Sequence, residues 1–210
     1  DWHKAIADLK GTVDEVHIVS VGGECKELLL VLAGKVSVSS VDSGSLENGA
    51  RVYCVDIMPK AEADGEYKRS EFCYTIGGAA DNIPTPNSLN SQLSPLNSQL
   101  STLNSQFLFE PNASIMKAGC FAELSQAYGV EAIGPNSHLF VSSGRVEQFP
   151  GREFAIEAVC TLNKRQLKQT LGTLKQANIA VRNFPMSVAE LRKRLKLREG
   201  GDTYIFATTT

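Results

Sequence analysis

The stretch Phe154-Ala-Ile-Glu-Ala-Val-Cys160, followed by Lys164-Arg-Gln-Leu-Lys-Gln-Thr-Leu171 and Ile179-Ala-Val-Arg-Asn-Phe184, fixes how the chain is read. Its first part is an apolar strand, its second a helix running from Lys164 to about Ala177, and its third another strand. A short basic helix, Val188 to Lys196, and a last strand, Thr203 to Ala207, complete a β-α-β-α-β order within residues 151–210. So compact a series predicts helices laid on one face of a small sheet. Both helix starts are written locally. Asn163 caps the first, with Gln166 at its third position and Leu162 able to staple to Leu167. Ser187 and Glu190 form a capping box for the second, with Met186 opposite Leu191. Helical spacing turns Leu167, Leu171 and Leu174 toward the core on one helix, and Val188, Leu191 and Leu195 on the other. Lys164, Arg165 and Lys168 are left outside on the first helix. Arg192, Lys193, Lys196 and Arg198 cluster at or beyond the second, with Arg194 on its flank.

Charge sets this module apart. Residues 151–210 hold 11 Lys and Arg against 5 Asp and Glu, a balance of +6; residues 1–150 hold 10 against 18, a balance of −8. A basic module on an acidic body is the pattern of a polyanion binder. It is equally the pattern of a solvated helix face built from Lys and Arg, and charge alone does not choose.

Upstream, Trp2, Ile6 and Leu9 are spaced as one face of a short helix that Gly11 ends. Val13–Val21 and Cys25–Leu32 are strand-like runs on either side of Gly22-Gly23, a hairpin signal. Leu28-Leu-Leu-Val-Leu32 is apolar throughout, which predicts a strand covered on both faces, as in an α/β sheet. Arg51–Ile57 and Glu71–Ile76 are two further strands, forming a hairpin that extends this sheet or a small side sheet. Residues 86–106 repeat Leu-Asn-Ser-Gln every seven residues. Pro95 and the abundance of Ser and Asn make this a flexible insert rather than a coiled coil. Order resumes at Phe107-Leu-Phe109. Pro111-Asn112 then opens a helix with Ile115, Phe121, Leu124 and Tyr128 as core positions, closed by Gly129. Val130–Ile133 and His138–Val141 follow as short strands.

Composition is that of an ordinary globular chain: 42% hydrophobic and 21% charged. No apolar run approaches the roughly 20 residues of a membrane helix. Cys25, Cys54, Cys73, Cys120 and Cys160 form no C-x-x-C pair and lie in or beside apolar stretches. They read as small buried residues of a protein in a reducing cytoplasm. His3, His17 and His138 stand apart from one another, so no metal site is expected.

The motifs Cys160-Thr-Leu-Asn-Lys-Arg165 and Val188-Ala-Glu-Leu-Arg-Lys-Arg-Leu-Lys-Leu197 resemble the THUMP-like domain that ends a group of bacterial class I S-adenosylmethionine (SAM) dependent methyltransferases. Phe107-Leu-Phe-Glu-Pro-Asn-Ala-Ser-Ile-Met-Lys-Ala-Gly119 and Pro135-Asn-Ser-His-Leu-Phe140 resemble the small ferredoxin-like segment that precedes it in the Bacteroidetes members. Glu15 to Val31 resembles the final hairpin of their methyltransferase sheet. The resemblance implies a mixed α/β and α+β chain in four parts. Residues 1–84 are the tail of a Rossmann-like methyltransferase sheet, 85–106 the insert, 107–150 the ferredoxin-like segment and 151–210 a βαβαβ THUMP-like domain. It also implies SAM as cofactor of the complete enzyme, and RNA (tRNA or rRNA) as partner, because THUMP domains proper bind RNA.

One departure shapes the functional expectation. A class I methyltransferase holds SAM on a strand–Gly-rich loop–helix unit, and Gly22-Gly23 leads into another strand while Gly77-Gly78 leads toward the insert. The chain also starts at Asp1 rather than Met. It therefore reads as a C-terminal region cut off from its catalytic half, binding no SAM and inactive alone. Asp56, Glu62 and Asp64 read as turn and strand-edge charges, and His138 as a structural histidine; no catalytic residue is assigned. Glu110 and Asn112, at a helix start, are candidates for lining the substrate cleft of the complete enzyme. Lys164, Arg165, Lys168, Arg192, Lys193, Lys196 and Arg198 are the candidate RNA contacts. The competing class is a non-catalytic interaction module whose basic face docks on the acidic body.

Overall fold

The structure, a computed structural model, describes residues 2–4, 13–32, 49–59, 67–76 and 106–209. The repeat tract up to residue 105, Ile6, Leu9, Glu62, Asp64 and Gly77-Gly78 lie outside the described residues. The chain forms two compact units. One comprises Asp1–Leu89, Pro111–Gly129 and Gln148–Arg152; the other comprises Asn90–Glu110, Val130–Glu147 and Glu153–Thr210.

The first unit is built on a four-stranded sheet of β1 (Val13–Val21), β2 (Glu24–Leu32), β3 (Arg51–Pro59) and β4 (Tyr67–Thr75), in the order β2-β1-β3-β4. Gly22 and Gly23 have φ of 60° and 82°, the two positive values that a two-residue hairpin of matching twist requires, and they join β1 to β2 antiparallel. β3 runs parallel to β1, and β4 returns antiparallel beside it, so the second pair of strands extends the first sheet. Val16 and Ile18 on β1, Val52 and Cys54 on β3, and Phe72 and Tyr74 on β4 are buried together on one face.

Helices α1 (Ala113–Ala118) and α2 (Phe121–Tyr128) belong to this unit, and α1 packs on β1, β2 and β3. Sequence periodicity predicted one helix here. Gly119 breaks it: its φ of 74° is left-handed, and its N–H returns to the Ile115 carbonyl at 2.9 Å, a local C-cap after which Cys120 starts α2. Trp2, helical and buried, donates its indole N–H to the Lys117 carbonyl.

Two expectations for this sheet fail. Among the described residues β2 is an edge strand, and Leu28, Leu29, Val31 and Leu32 are 39–53% exposed rather than covered on both faces. Asp56 is no surface charge. It lies inside β3 at 2% exposure and accepts a hydrogen bond from the Ser20 hydroxyl of the neighbouring strand. Cys25 is exposed at the start of β2, whereas Cys54, Cys73 and Cys120 are buried as expected and Cys160 is partly so.

The second unit contains a sheet of order β6-β7-β5-β8, from β5 (Phe107–Pro111), β6 (Glu131–Ala132), β7 (Phe140–Ser142) and β8 (Gly151–Ala155). A separate parallel pair is formed by β9 (Asn178–Arg182) and β10 (Tyr204–Thr208). The single β-α-β-α-β sheet predicted for residues 151–210 is therefore not formed. β8 pairs with β5 instead, and it starts and stops three to five residues earlier than the predicted Phe154–Cys160. Its ladder ends where the Ile156 N–H reaches Gln106, ahead of β5. Leu108, Ile133, Leu139 and Val141 make the core of this unit, and Phe154, Ile156 and Phe206 pack against it. Helices α3 (Lys164–Leu171) and α4 (Val188–Leu195) complete it. α3 ends well before Ala177, because Ala177 is fully buried and hydrogen-bonded to Arg198. Leu191 is buried as predicted; Leu167, Leu171, Leu174 and Leu195 are half-buried and Val188 is exposed, so α3 rests only lightly on the unit.

Candidate nucleic-acid interface

Both helices that carry the basic residues are set by their first turns. The Asn163 side chain accepts from the Arg165 N–H at 2.9 Å, and the Gln166 side chain reaches back to the Thr161 N–H and hydroxyl. On α4 the capping box forms as predicted: the Ser187 hydroxyl accepts from the Glu190 N–H, and the Glu190 carboxylate accepts from the Ser187 N–H at 2.8 Å. The Ser187 N–H and then the Ser187 hydroxyl, which both donate to the carboxylate, hold the Glu190 carboxyl below its usual range. The last turn of α4 carries Arg192, Lys193 and Arg194, where positive charge meets the negative end of the helix dipole.

The seven candidate contacts divide into two kinds. Arg192 is half-buried, and its Nη1 donates to the Ala177 carbonyl at 3.1 Å, which ties α4 to the segment entering β9. Lys164, Arg165, Lys168, Lys193, Lys196 and Arg198 are exposed, and among the described residues none of the six joins an ion pair. Arg194 was placed on the flank of α4. Its Nη2 donates to the Leu162 carbonyl, in the turn that starts α3, so one framework carries both groups of cations.

Glu110 and Asn112 are not brought together by the structure as one site; they fall in different units. Glu110 is buried and accepts from Arg182 Nη2 at 2.7 Å. Asn112 precedes α1 without capping it through its side chain; its amide donates to the Ser70 hydroxyl at 3.4 Å, and its N–H to the Pro150 carbonyl. The sequence reading passed over Arg182. A signal was present: an arginine within the apolar run Ile179-Ala-Val-Arg182 must find an anion if the strand is buried. His138 is perturbed as well. Burial first, and then the positive charge of Arg182, push its imidazole pKa down.

Residues 151–210 match a family model described as THUMP domain-like. Residues 107–150 match one described as a ferredoxin-like domain. The C-terminal sixty residues are THUMP-like. A crystal structure of a Porphyromonas gingivalis W83 protein, named "putative methyltransferase", superimposes with a TM-score of 0.67 at 27% identity. The match covers 95% of this chain and 43% of that one, so this chain spans less than half the length of its neighbour. No curated protein matches the chain. Among the described residues no group of side chains is arranged to hold a metal, and no helix is long and apolar enough to cross a membrane.

The Gly22-Gly23 turn does not have the geometry of a SAM-binding loop. It joins two antiparallel strands, and no helix start follows it to present free N–H groups to a cofactor.

Proposed function

We propose that this chain is the substrate-recognition region of a SAM-dependent RNA methyltransferase, with the α3–α4 face of its THUMP-like segment as the RNA contact. The observation that carries the reading is the set of six exposed cations, unpaired among the described residues, on a unit of a chain whose net charge is −2. Phosphates give such cations a sequence-independent, salt-sensitive ligand, and structured RNA is recognised largely by shape. The likeness to a protein named as a methyltransferase supplies the reaction class. On this reading residues 1–84 are the tail of a class I methyltransferase sheet of the Bacteroidetes type. SAM binds outside this chain, and the five free thiols belong to a cytoplasmic protein. The exposed apolar edge of β2 supports the same picture, as the place where further strands of that sheet add.

The test is RNA affinity as a function of salt, by fluorescence anisotropy with transcribed tRNA and rRNA helices. If all six cations engage phosphates, log K falls with log salt with a slope of about −5. Lys164→Glu with Lys193→Glu avoids the structural Arg192. It should weaken binding and flatten the slope by about 1.8, without lowering the melting temperature. Unchanged affinity at low salt would sink the proposal. A fall in melting temperature with negligible RNA binding would favour the docking module, whose basic face needs acidic partners that the ion pairs among the described residues do not supply.

A further inference from the structure

The end of β9 carries a second constellation, away from the α3–α4 cations. Arg182 closes the strand. Its Nη2 donates to Glu110, whose side chain is 6% exposed, while the Arg182 side chain itself is 37% exposed. The carboxylate therefore lies behind the guanidinium, and the positive end faces outward. Arg182 Nη1 has only a 3.4 Å contact with the Val181 carbonyl, and Nε is buried with no acceptor.

Around this arginine the backbone is held in unusual conformations. Five non-glycine residues among those described have positive φ, and three of them are here: Asn183 (47°), Asn136 (60°) and His138 (53°). Positive φ is uncommon outside glycine, Asn and His take it more readily than most residues, and here surrounding contacts hold it. The enforcing contacts are visible. Asn183 Nδ2 donates to the Pro135 carbonyl at 2.9 Å, pinning the turn of residues 135–138 beside the strand end. The Asn183 carbonyl in turn accepts from Thr209 N–H and hydroxyl. Ser137, fully buried, locks the turn by donating to the Gly134 carbonyl. Backbone pinned by hydrogen bonds around an oriented arginine is the construction of a binding site rather than of a strand terminus.

We infer that Arg182, backed by Glu110 and flanked by the 135–138 turn with His138, binds a phosphate group. The guanidinium fork matches tetrahedral oxyanions, and an oxygen admitted beside it would supply the acceptor that Nε lacks. His138 serves as a reporter. Burial and the Arg182 charge now depress its pKa, and a bound phosphate would reverse that field.

The experiment uses the full 210-residue chain, isotope-labelled, with NMR of the Arg182 Nε–H and His138 ring signals. It is titrated with inorganic phosphate, then with a 5′-phosphorylated and a 5′-hydroxyl oligoribonucleotide. The expected result is a saturable shift of both signals. In Glu110→Gln with Arg182→Gln, which removes both charges together, affinity should fall about 10–100-fold. Arg182→Lys, which keeps the charge and the pairing with Glu110 but loses the fork, should fall in between and guards against a double variant that fails to fold. A shift with the 5′-hydroxyl oligomer assigns the site to backbone phosphodiesters. A shift confined to inorganic phosphate and the 5′-phosphate assigns it to a terminal monoester. No shift with any of the three, or equal shifts in wild type and variants, overturns the inference. Lys164→Glu with Lys193→Glu leaves this site intact, so its failure and that of the α3–α4 reading are separable.

Discussion

The Glu110–Arg182 pair makes an asymmetric prediction. Its two partners differ sharply in access to water: 6% of the Glu110 side chain is exposed against 37% for Arg182. Arg182→Met takes its 2.7 Å guanidinium partner from a carboxylate that cannot reach solvent. Breaking a buried pair from one side costs about 3–5 kcal/mol, and with one partner part-exposed the lower end, about 3 kcal/mol, is expected. Glu110→Gln leaves an arginine that can turn toward water and keeps an acceptor oxygen in place, so about 1 kcal/mol is expected. Combining the two should recover much of the larger loss, because the buried carboxylate charge is then removed together with its guanidinium partner. Amide hydrogen exchange across the β9–β10 pair reads the opening of this unit directly, whatever the rest of the chain does. A cost of about 3 kcal/mol corresponds to roughly a hundredfold faster exchange at Ala180 and Val181. Equal costs for the two single variants, or strict additivity in the double, would refute the idea that burial of the carboxylate governs the pair.

Two further outcomes follow from the local structure. The Glu190 carboxyl is held low in the folded chain by Ser187, so its stabilisation is present above the ordinary Glu value of about 4.3 and is lost as pH falls through its folded value. Ser187→Ala removes the hydroxyl but keeps the Ser187 N–H, the larger cause, so the Glu190 titration, followed by NMR, should rise only part of the way toward the ordinary range and the acid-side loss of α4 helicity should weaken. Among the thiols, exposed Cys25 should react first with iodoacetamide. Cys54 and Cys120, buried with their sulfurs 4.0 Å apart, should resist until the unit opens, Cys54 the more so because its hydrogen bond to Cys120 and burial push its pKa up. Peptide mass mapping of a labelling time course checks the order.

What could be read from the sequence followed from how local each signal is. The α4 start was legible to the residue, because Ser187 and Glu190 satisfy each other three positions apart. The Gly22-Gly23 hairpin was legible for the same reason. The end of α3 was not, since it is fixed by Ala177 bonding to Arg198, and neither was β8, whose limits are those of β5. Exposure of the cations on α3 followed from helical spacing, but Arg192 bending back to Ala177 did not. The Glu110–Arg182 pair joins residues 72 positions apart, and no periodicity reports such a contact.

Leu28-Leu-Leu-Val-Leu32 is the case where pattern and structure conflict. Burying one such side chain contributes about 1.5–3 kcal/mol, so a run of five is a strong demand for cover on both faces. Among the described residues β2 has one neighbour, β1, and four of the five residues are exposed by 39–53%. A flat, apolar strand at a sheet edge offers unpaired N–H and C=O groups as well as greasy surface, the arrangement that natural sheets avoid unless another strand completes it. Composition and exposure are reconciled on the proposed reading, in which β2 is an internal strand of a larger methyltransferase sheet. On that reading the same five residues that look misplaced at an edge are the ones that an interior position would select.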